Sequence, residues 1–448
     1  MRASSAYSLF DTESVWAILM RIAPPVMLAQ LIQAMYNIVD SYFVGQFSSD
    51  GLTALSIVYP IQLIVTAIAV GTGVGVNTLM SRYDGQGNHH LADRTAGTGT
   101  VLALISWLIF AVLSGLLMRP FAAISTESSS VTDLAVTYGT IVCVGSPGVF
   151  LESTWSKVHQ ARGNMRLPML AQIAGAAANI VLDPLLIFGL FGLPALGIAG
   201  AAIATVAGQI VAAMIVCRGG FRPSPAPRLY PALMRRIYRL GVPNILMQSA
   251  YTFYILGLNL ILKTFSDQAV TTLGLYYKWQ TFFFIPLGAM QTCIVPVISY
   301  NYAAGNLRRC HKTLMESIVF GMALMSTGTL FFELIPGPML RVFSQDPEVL
   351  RIGVYAFRCI GPSFLPIVTA QIFPVFFQAA GYALKSSFLT ILRTMILFVP
   401  LGWLLARLGG LEAFWMVFPI TEILTTLGGV LCYRQFLQQE TARSHPSD

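Results

Sequence analysis

The chain has 448 residues, 55% of them hydrophobic and only 10% charged, with a formal net charge of +8. So apolar a composition leaves too little polar surface to cover a soluble core, which excludes an ordinary globular domain. A nucleic-acid partner is excluded as well, because no soluble face gathers the basic residues with aromatic ones.

Apolar runs of membrane-spanning length recur along the chain, and in lipid such runs must be helices, since their backbone polar groups have no water to bond. They fall near 15–40, 52–80, 96–118, 131–152, 167–190 and 195–217, then near 233–262, 268–299, 314–336, 350–373, 384–405 and 411–434. The expected fold is an all-α integral membrane protein of 12 transmembrane helices in two pseudo-symmetric six-helix bundles, spanning residues 1–217 and 233–448. Between them, residues 218–232 carry prolines at 223, 225, 227 and 231 and read as a semi-extended strap. The even-numbered connections hold 15 Lys and Arg against 5 in the odd ones, which places the strap and both termini in the cytoplasm.

No cleavable signal peptide is read, because Pro24, Pro25, Gln30, Gln33 and Asn37 interrupt the first apolar run. The six cysteines show no CxxC pairing and read as small buried hydrophobes. The histidines at 89, 90, 159, 311 and 445 are placed in loops or the tail, as solvated polarity. There is no P-loop, HExxH or GxSxG pattern, so neither ATP nor a cofactor is expected and the chain is not read as an enzyme. Any pumping must then draw on an ion gradient.

A shift of 218 residues lays one half on the other. It pairs Arg21 with Arg239, Pro25 with Pro243, Leu28 with Leu246, Gln30 with Gln248 and Tyr36 with Tyr254. Gly87-Asn88 falls on Gly305-Asn306, and Gln160, Ala161 and Gly163 fall on Gln378, Ala379 and Gly381. Two copies of one unit in a membrane are the usual frame of a transport pathway.

Polar residues inside a membrane are expensive and mark function by default. In the first span Gln33, Tyr36, Asn37 and Asp40 share one helical face; in the fifth, Asn179 and Asp183 are one turn apart. Pro184 cannot donate to the Ile180 carbonyl and so frees a backbone oxygen. The sixth span adds Thr205. Under the shift, Asp40 falls on Leu258, Asn179 on Leu397, Asp183 on Leu401 and Thr205 on Ile423. This one-sidedness favours a dedicated site in the first half over packing demanded by the shared fold. Hard oxygen donors suit Na⁺ at Asp40, Asn179, Asp183 and Thr205. Two carboxylates crowded in a low dielectric also resist being charged together, so the pair could instead carry H⁺.

The second half has basic intruders: Lys278, Arg358 and Arg393, with Glu422 well inside the twelfth span. Arg393 is expected either to line the cavity, pairing with an acid of the other half or an anionic group of the substrate, or to snorkel to water. The residues set at a substrate cavity are Gln33, Asn37, Gln248, Lys278, Gln280, Arg358 and Glu422. Met and aromatic residues are plentiful but are more often packing than ligand contacts.

Several segments resemble the multidrug and toxic compound extrusion (MATE) family. They are Pro25, Tyr36 and Asp40, the Gly85-Gln86-Gly87-Asn88 loop, Gln160-Ala161-Arg162-Gly163-Asn164, and Asn179 through Asp183-Pro184. The second half matches through Asn301-Tyr302-Ala303-Ala304-Gly305-Asn306 and Phe377-Gln378-Ala379-Ala380-Gly381, and the likeness runs roughly over 14–435. It implies a V of two six-helix lobes with an alternating central cavity. It also implies export of organic, often cationic, drugs in exchange for Na⁺ or H⁺. It places the coupling cation at Asp40, Asn179, Asp183 and Thr205, with Tyr36 and Tyr138 nearby. Where some branches carry acidic residues in the seventh and tenth spans, this chain has Asn244, Gln248, Asn259 and Arg358, so coupling is expected in the first lobe alone. Lys278 is similar to a MepA-like bacterial branch.

The chain is thus expected to be a secondary active antiporter of the cytoplasmic (inner) membrane, acting as a monomer on small organic cations or drugs, with Pro25 and Pro184 as conformational positions. A lipid-linked precursor flippase of the same superfamily is the nearest rival. An intramembrane acid–base enzyme using Asp40 and Asp183 is the rival from another class.

Overall fold

In a computed structural model of the chain, residues 10, 13–126, 128–192, 194–223, 225 and 227–444 are described. Every regular element among them is helical. They gather into two compact units: the chain up to Ile245 with Ser299–Gly305, and Leu246–Ile298 with the residues from Asn306 onward.

The first unit holds α1 (Val15–Phe47), α2 (Ser49–Gly85), α3 (His89–Ser125), α4 (Ser129–Val144), α5 (Pro147–Ala161), α6 (Arg166–Phe188) and α7 (Ile198–Gly220). Ser14 and Ser48 cap α1 and α2 by accepting from the N–H groups of Ala17 and Gly51, at 3.2 and 3.1 Å. Pro24 and Pro25 lie within α1. The fourth expected span is bent by 41° between α4 and α5, at Gly145-Ser146-Pro147, where the proline cannot donate to the preceding turn.

α8 (Tyr230–Lys263) enters the second unit, which continues with α9 (Asp267–Phe283), α10 (Ile285–Ala303), α11 (Leu307–Leu334), short α12 (Pro336–Arg341), α13 (Pro347–Ile360) and α14 (Phe364–Ala380). Next come α15 (Ala383–Ile391), a π-helical turn at Leu392–Phe398, α16 (Val399–Phe414) and α17 (Val417–Ser444). The π turn runs directly into Pro400, whose missing N–H breaks the ordinary ladder there. α9 and α10 meet at 50°. By length and apolarity nine helices among the described residues can cross a membrane, or eleven with each bent pair as one span. α17 occupies the twelfth expected run, its apolarity diluted by Thr421, Glu422, Thr425 and Thr426.

The repeat-matched residues have a plain backbone reason. Gly87 and Gly305 take φ of 74° and 78°, and Gly163 and Gly381 take 76° and 86°, a region that side chains avoid. Asn88 and Asn306 each cap the following helix, accepting from Leu91 N–H at 3.2 Å and Arg309 N–H at 3.1 Å. At these glycine and asparagine positions, agreement between the halves therefore marks turns and caps.

Three of the histidines depart from the expectation of solvated loop polarity, whereas His90 is exposed. His89 Nδ1 sits 2.8 Å from Asp84 Oδ1, His159 lies within α5 with Nε2 3.0 Å from the Val216 carbonyl, and His311 Nδ1 is 2.6 Å from the Tyr433 hydroxyl. Arg162 of the Gln160–Asn164 motif donates to Asp93 at 2.8 Å, and Arg222 of the strap donates to the same carboxylate at 3.1 Å. Charge at this end of the first unit is thus knitted together rather than free. His445 lies outside the described residues. All six cysteines are free, with Cys143, Cys293 and Cys310 buried.

Candidate functional site

Small residues let α6 and α7 approach so closely that there is no room for a side chain at the crossing. A Cβ on Gly208 would stand 2.6 Å from the Gly175 carbonyl oxygen, and one on Gly200 would stand 2.5 Å from that of Leu186. This contact brings Thr205 of α7 to Asn179 of α6. With its amide oriented to satisfy both ends, Asn179 donates to Asp183 Oδ2 at 3.2 Å and accepts from the Thr205 backbone N–H at 3.3 Å. Asp183 is fully buried and Asn179 nearly so.

α1 supplies the third wall. The Asp40 carboxyl lies within hydrogen-bonding reach of Asp183, and Tyr36, one turn earlier on α1, lies beside both acids. From α4, buried Tyr138 accepts from Gln62 Nε2 at 3.4 Å, and its ring end lies beside Thr205. The structure therefore gathers Tyr36, Asp40, Tyr138, Asn179, Asp183 and Thr205 in one place. It leaves Gln33 exposed on α1, and the side chain of Asn37 lies outside the described residues.

Gln62 is a member of this site that the sequence reading missed. The signal is present in the chain: the same 218 shift lays Gln62 on Gln280, a further polar match inside the membrane.

Two oxygens of the cluster, Asp40 Oδ1 and Thr205 Oγ1, are buried with no hydrogen-bond partner among the described residues. Among the described residues no Lys, Arg or His forms an ion pair with Asp40 or Asp183. A buried acid pair without a counter-charge is costly unless a cation or a proton neutralises it. The donors are all oxygens apart from one amide nitrogen, which fits a hard monovalent ion. Among the described residues no three His, Cys, Asp or Glu converge to hold a transition metal.

The second unit is built differently at the corresponding helices. Arg393 and Glu422, 8% and 1% exposed, form a forked ion pair. Nε lies 3.1 and 2.9 Å from the two carboxylate oxygens, and Nη2 lies 2.6 Å from Oε1. This corrects the expectation for Arg393, whose partner is an acid of its own half rather than of the other, and whose head does not snorkel. Glu422 is accordingly engaged in an ion pair. Tyr254, the repeat mate of Tyr36, stacks on Phe398 with ring centroids 4.8 Å apart. Lys278 is exposed, its ammonium 4.9 Å from the centre of the Phe343 ring, and Arg358 is exposed on α13. Gln280 is buried and Gln248 half-buried.

The site and the two helical bundles define a class, a multi-pass membrane transporter, and comparison places the chain within it. The MatE family model matches residues 25–185 and 243–404, one block in each half. A FAD transporter of Shewanella oneidensis is 24% identical over 426 residues, covering 93% of both chains. The multidrug export protein MepA of Staphylococcus haemolyticus is 24% identical over 411 residues, 90% of this chain and 89% of its own. In fold, the solved structure of a MOP superfamily transporter from Pyrococcus furiosus aligns with a TM-score of 0.89 at 20% identity, over 98% of this chain and 99% of that one. The chain belongs to the MatE family of membrane transporters. The intramembrane acid–base enzyme is thereby set aside, and the paired acids belong to a transporter.

Proposed function

We propose that this protein is a secondary antiporter of the cytoplasmic membrane. In this reading it exports organic, often cationic, compounds in exchange for Na⁺ or H⁺ bound at Asp40 and Asp183. The observation that carries the reading is the buried acid pair of the first unit, for which, among the described residues, Asp40 Oδ1 and Thr205 Oγ1 are unpartnered and no basic side chain pairs with either acid. The coupling ion is itself a transported substrate. Asn179 and Thr205 offer it neutral oxygens, while Asp40 and Asp183 supply the charge. Binding draws α1 toward α6, and α1 yields at Pro24 and Pro25, where its internal ladder already lacks two donors. A cationic substrate competes for the same carboxylates or is displaced as α1 repacks. The excess of Lys and Arg in the even connections supports cytoplasmic termini, and MepA among the relatives supports drug export.

The test is ethidium efflux from proteoliposomes under Na⁺ and pH gradients imposed one at a time. One gradient is expected to drive efflux in the parent protein and neither in Asp40→Asn at equal protein level. Undiminished gradient-driven efflux by that variant would sink the assignment. A second reading, export of a flavin nucleotide, is supported by the FAD transporter among the relatives. FAD release from loaded proteoliposomes, measured beside ethidium, separates the two.

A further inference from the structure

The second unit holds a partly open cavity of about 240 Å³. That is slightly below the roughly 300–1,000 Å³ of sites for whole drug-sized ligands, so it suits one ring system and its head group. Gln280 of α9, Gln371 of α14 and Arg393 of the π turn form its polar wall. Tyr251, Phe284 and Pro374 form much of the rest.

The hydrogen bonding on this wall is one-sided. The Tyr251 hydroxyl donates to Gln280 Oε1 at 3.1 Å, and Gln291 Nε2 donates to Gln371 Oε1 at 2.7 Å. Both carboxamides thus have their oxygen engaged. Arg393 gives Nε and Nη2 to Glu422. Among the described residues nothing accepts from Gln280 Nε2, Gln371 Nε2 or Arg393 Nη1. Arg393 stands on the wall while Glu422 lies behind it, so the cavity meets the cationic end of the pair. The hydroxyls of Thr390 and Thr394 spend their protons on backbone carbonyls at 3.1 and 2.7 Å, leaving only weak acceptors.

We propose that this cavity is a binding subsite for the carboxylate or carbonyl end of a flat aromatic compound. The ring packs against Tyr251 and Phe284, and the head group accepts from Gln280, Gln371 and Arg393. Unspent donors converging on one cavity wall select acceptors, because a cationic head group would leave every one of them unsatisfied. This site is chemically opposite to the acid cluster of the first unit, and it stands whether or not that cluster couples transport.

Three probes with one ring system test it on the purified full-length protein by calorimetric titration: 2-naphthoate, 2-naphthamide and 2-naphthylmethylammonium. The carboxylate and the amide are expected to bind and the ammonium not to. Gln371→Leu and Gln280→Leu should each weaken naphthoate binding about tenfold, the usual effect of losing one hydrogen bond to a charged group. The double variant Arg393→Leu/Glu422→Leu removes the guanidinium without leaving a lone buried charge, and should weaken it at least as much. Gly115→Ala, where an added Cβ meets nothing within 4 Å, should leave naphthoate binding unchanged. Binding of the ammonium probe as tight as that of naphthoate, or naphthoate binding indifferent to Gln371→Leu and the double variant, overturns the proposal.

Discussion

Arg393 and Glu422 stand 29 residues apart on neighbouring helices and meet as a forked ion pair. One repeat earlier, the same two positions are Gly175 and Ala204. The first unit uses the space at Gly175 for contact with Gly208, while the second fills it with a guanidinium. A single pair of packing helices thus carries two solutions: close backbone approach beside an acid site, and a closed salt bridge.

The ion pair should behave as a unit. Arg393→Leu alone strands a buried carboxylate and should destabilise the protein by about 3–5 kcal/mol, and Glu422→Leu should do likewise. The double leucine variant should lie within about 1 kcal/mol of the parent. Thermal unfolding in detergent across the double-mutant cycle measures this, and additive losses would refute it.

In the proposed function Thr205 lends its hydroxyl to the ion, an oxygen buried beside Tyr138. Thr205→Val keeps the shape and should preserve the melting temperature without ion, yet weaken the coupling ion's stabilisation of the protein. Thr205→Ser should restore it. Melting curves along a series of Na⁺ concentrations, and along a pH series, supply the readout; equal response in all three proteins would count against the role.

The crossing of α6 and α7 should tolerate no side chain. Gly208→Ala must push its Cβ away from an oxygen 2.6 Å distant, at about 1–3 kcal/mol. It also moves Thr205 from Asn179, so ion-dependent stabilisation should fall together with stability. Gly115, whose added Cβ meets nothing within 4 Å, is the control. Gly115→Ala should be neutral or slightly stabilising.

The matched turn glycines should respond alike. Gly163→Ala and Gly381→Ala each force a left-handed backbone on a residue with a side chain, losing about 1–2 kcal/mol. Unequal losses, measured by unfolding, would show that one copy of the turn has relaxed.

Much of this architecture was legible because lipid imposes a simple rule on apolar runs. Asp40, Asn179, Asp183 and Thr205 could be marked as a set from their apolar repeat mates, and the structure does gather them. Gln62 escaped because it matches Gln280, and a match reads as scaffold. The partner of Arg393 escaped for another reason: 29 residues of separation carry no local periodicity, and only the packing of the π turn on α17 decides it. His89 and His159 looked like loop polarity because composition says nothing about which acid or carbonyl a chain end will meet.

The glycine contact between α6 and α7 also restricts how this protein can change. Two of the three walls around the acid pair are fixed against each other at Gly175 and Gly208, where no larger residue is admitted. If the acid pair couples transport as proposed, drift in ion preference must therefore run through the other walls, chiefly the stretch of α1 around Tyr36 and Asp40, with Gln62 and Tyr138 beside it. A laboratory selection for altered coupling should accumulate its substitutions there first.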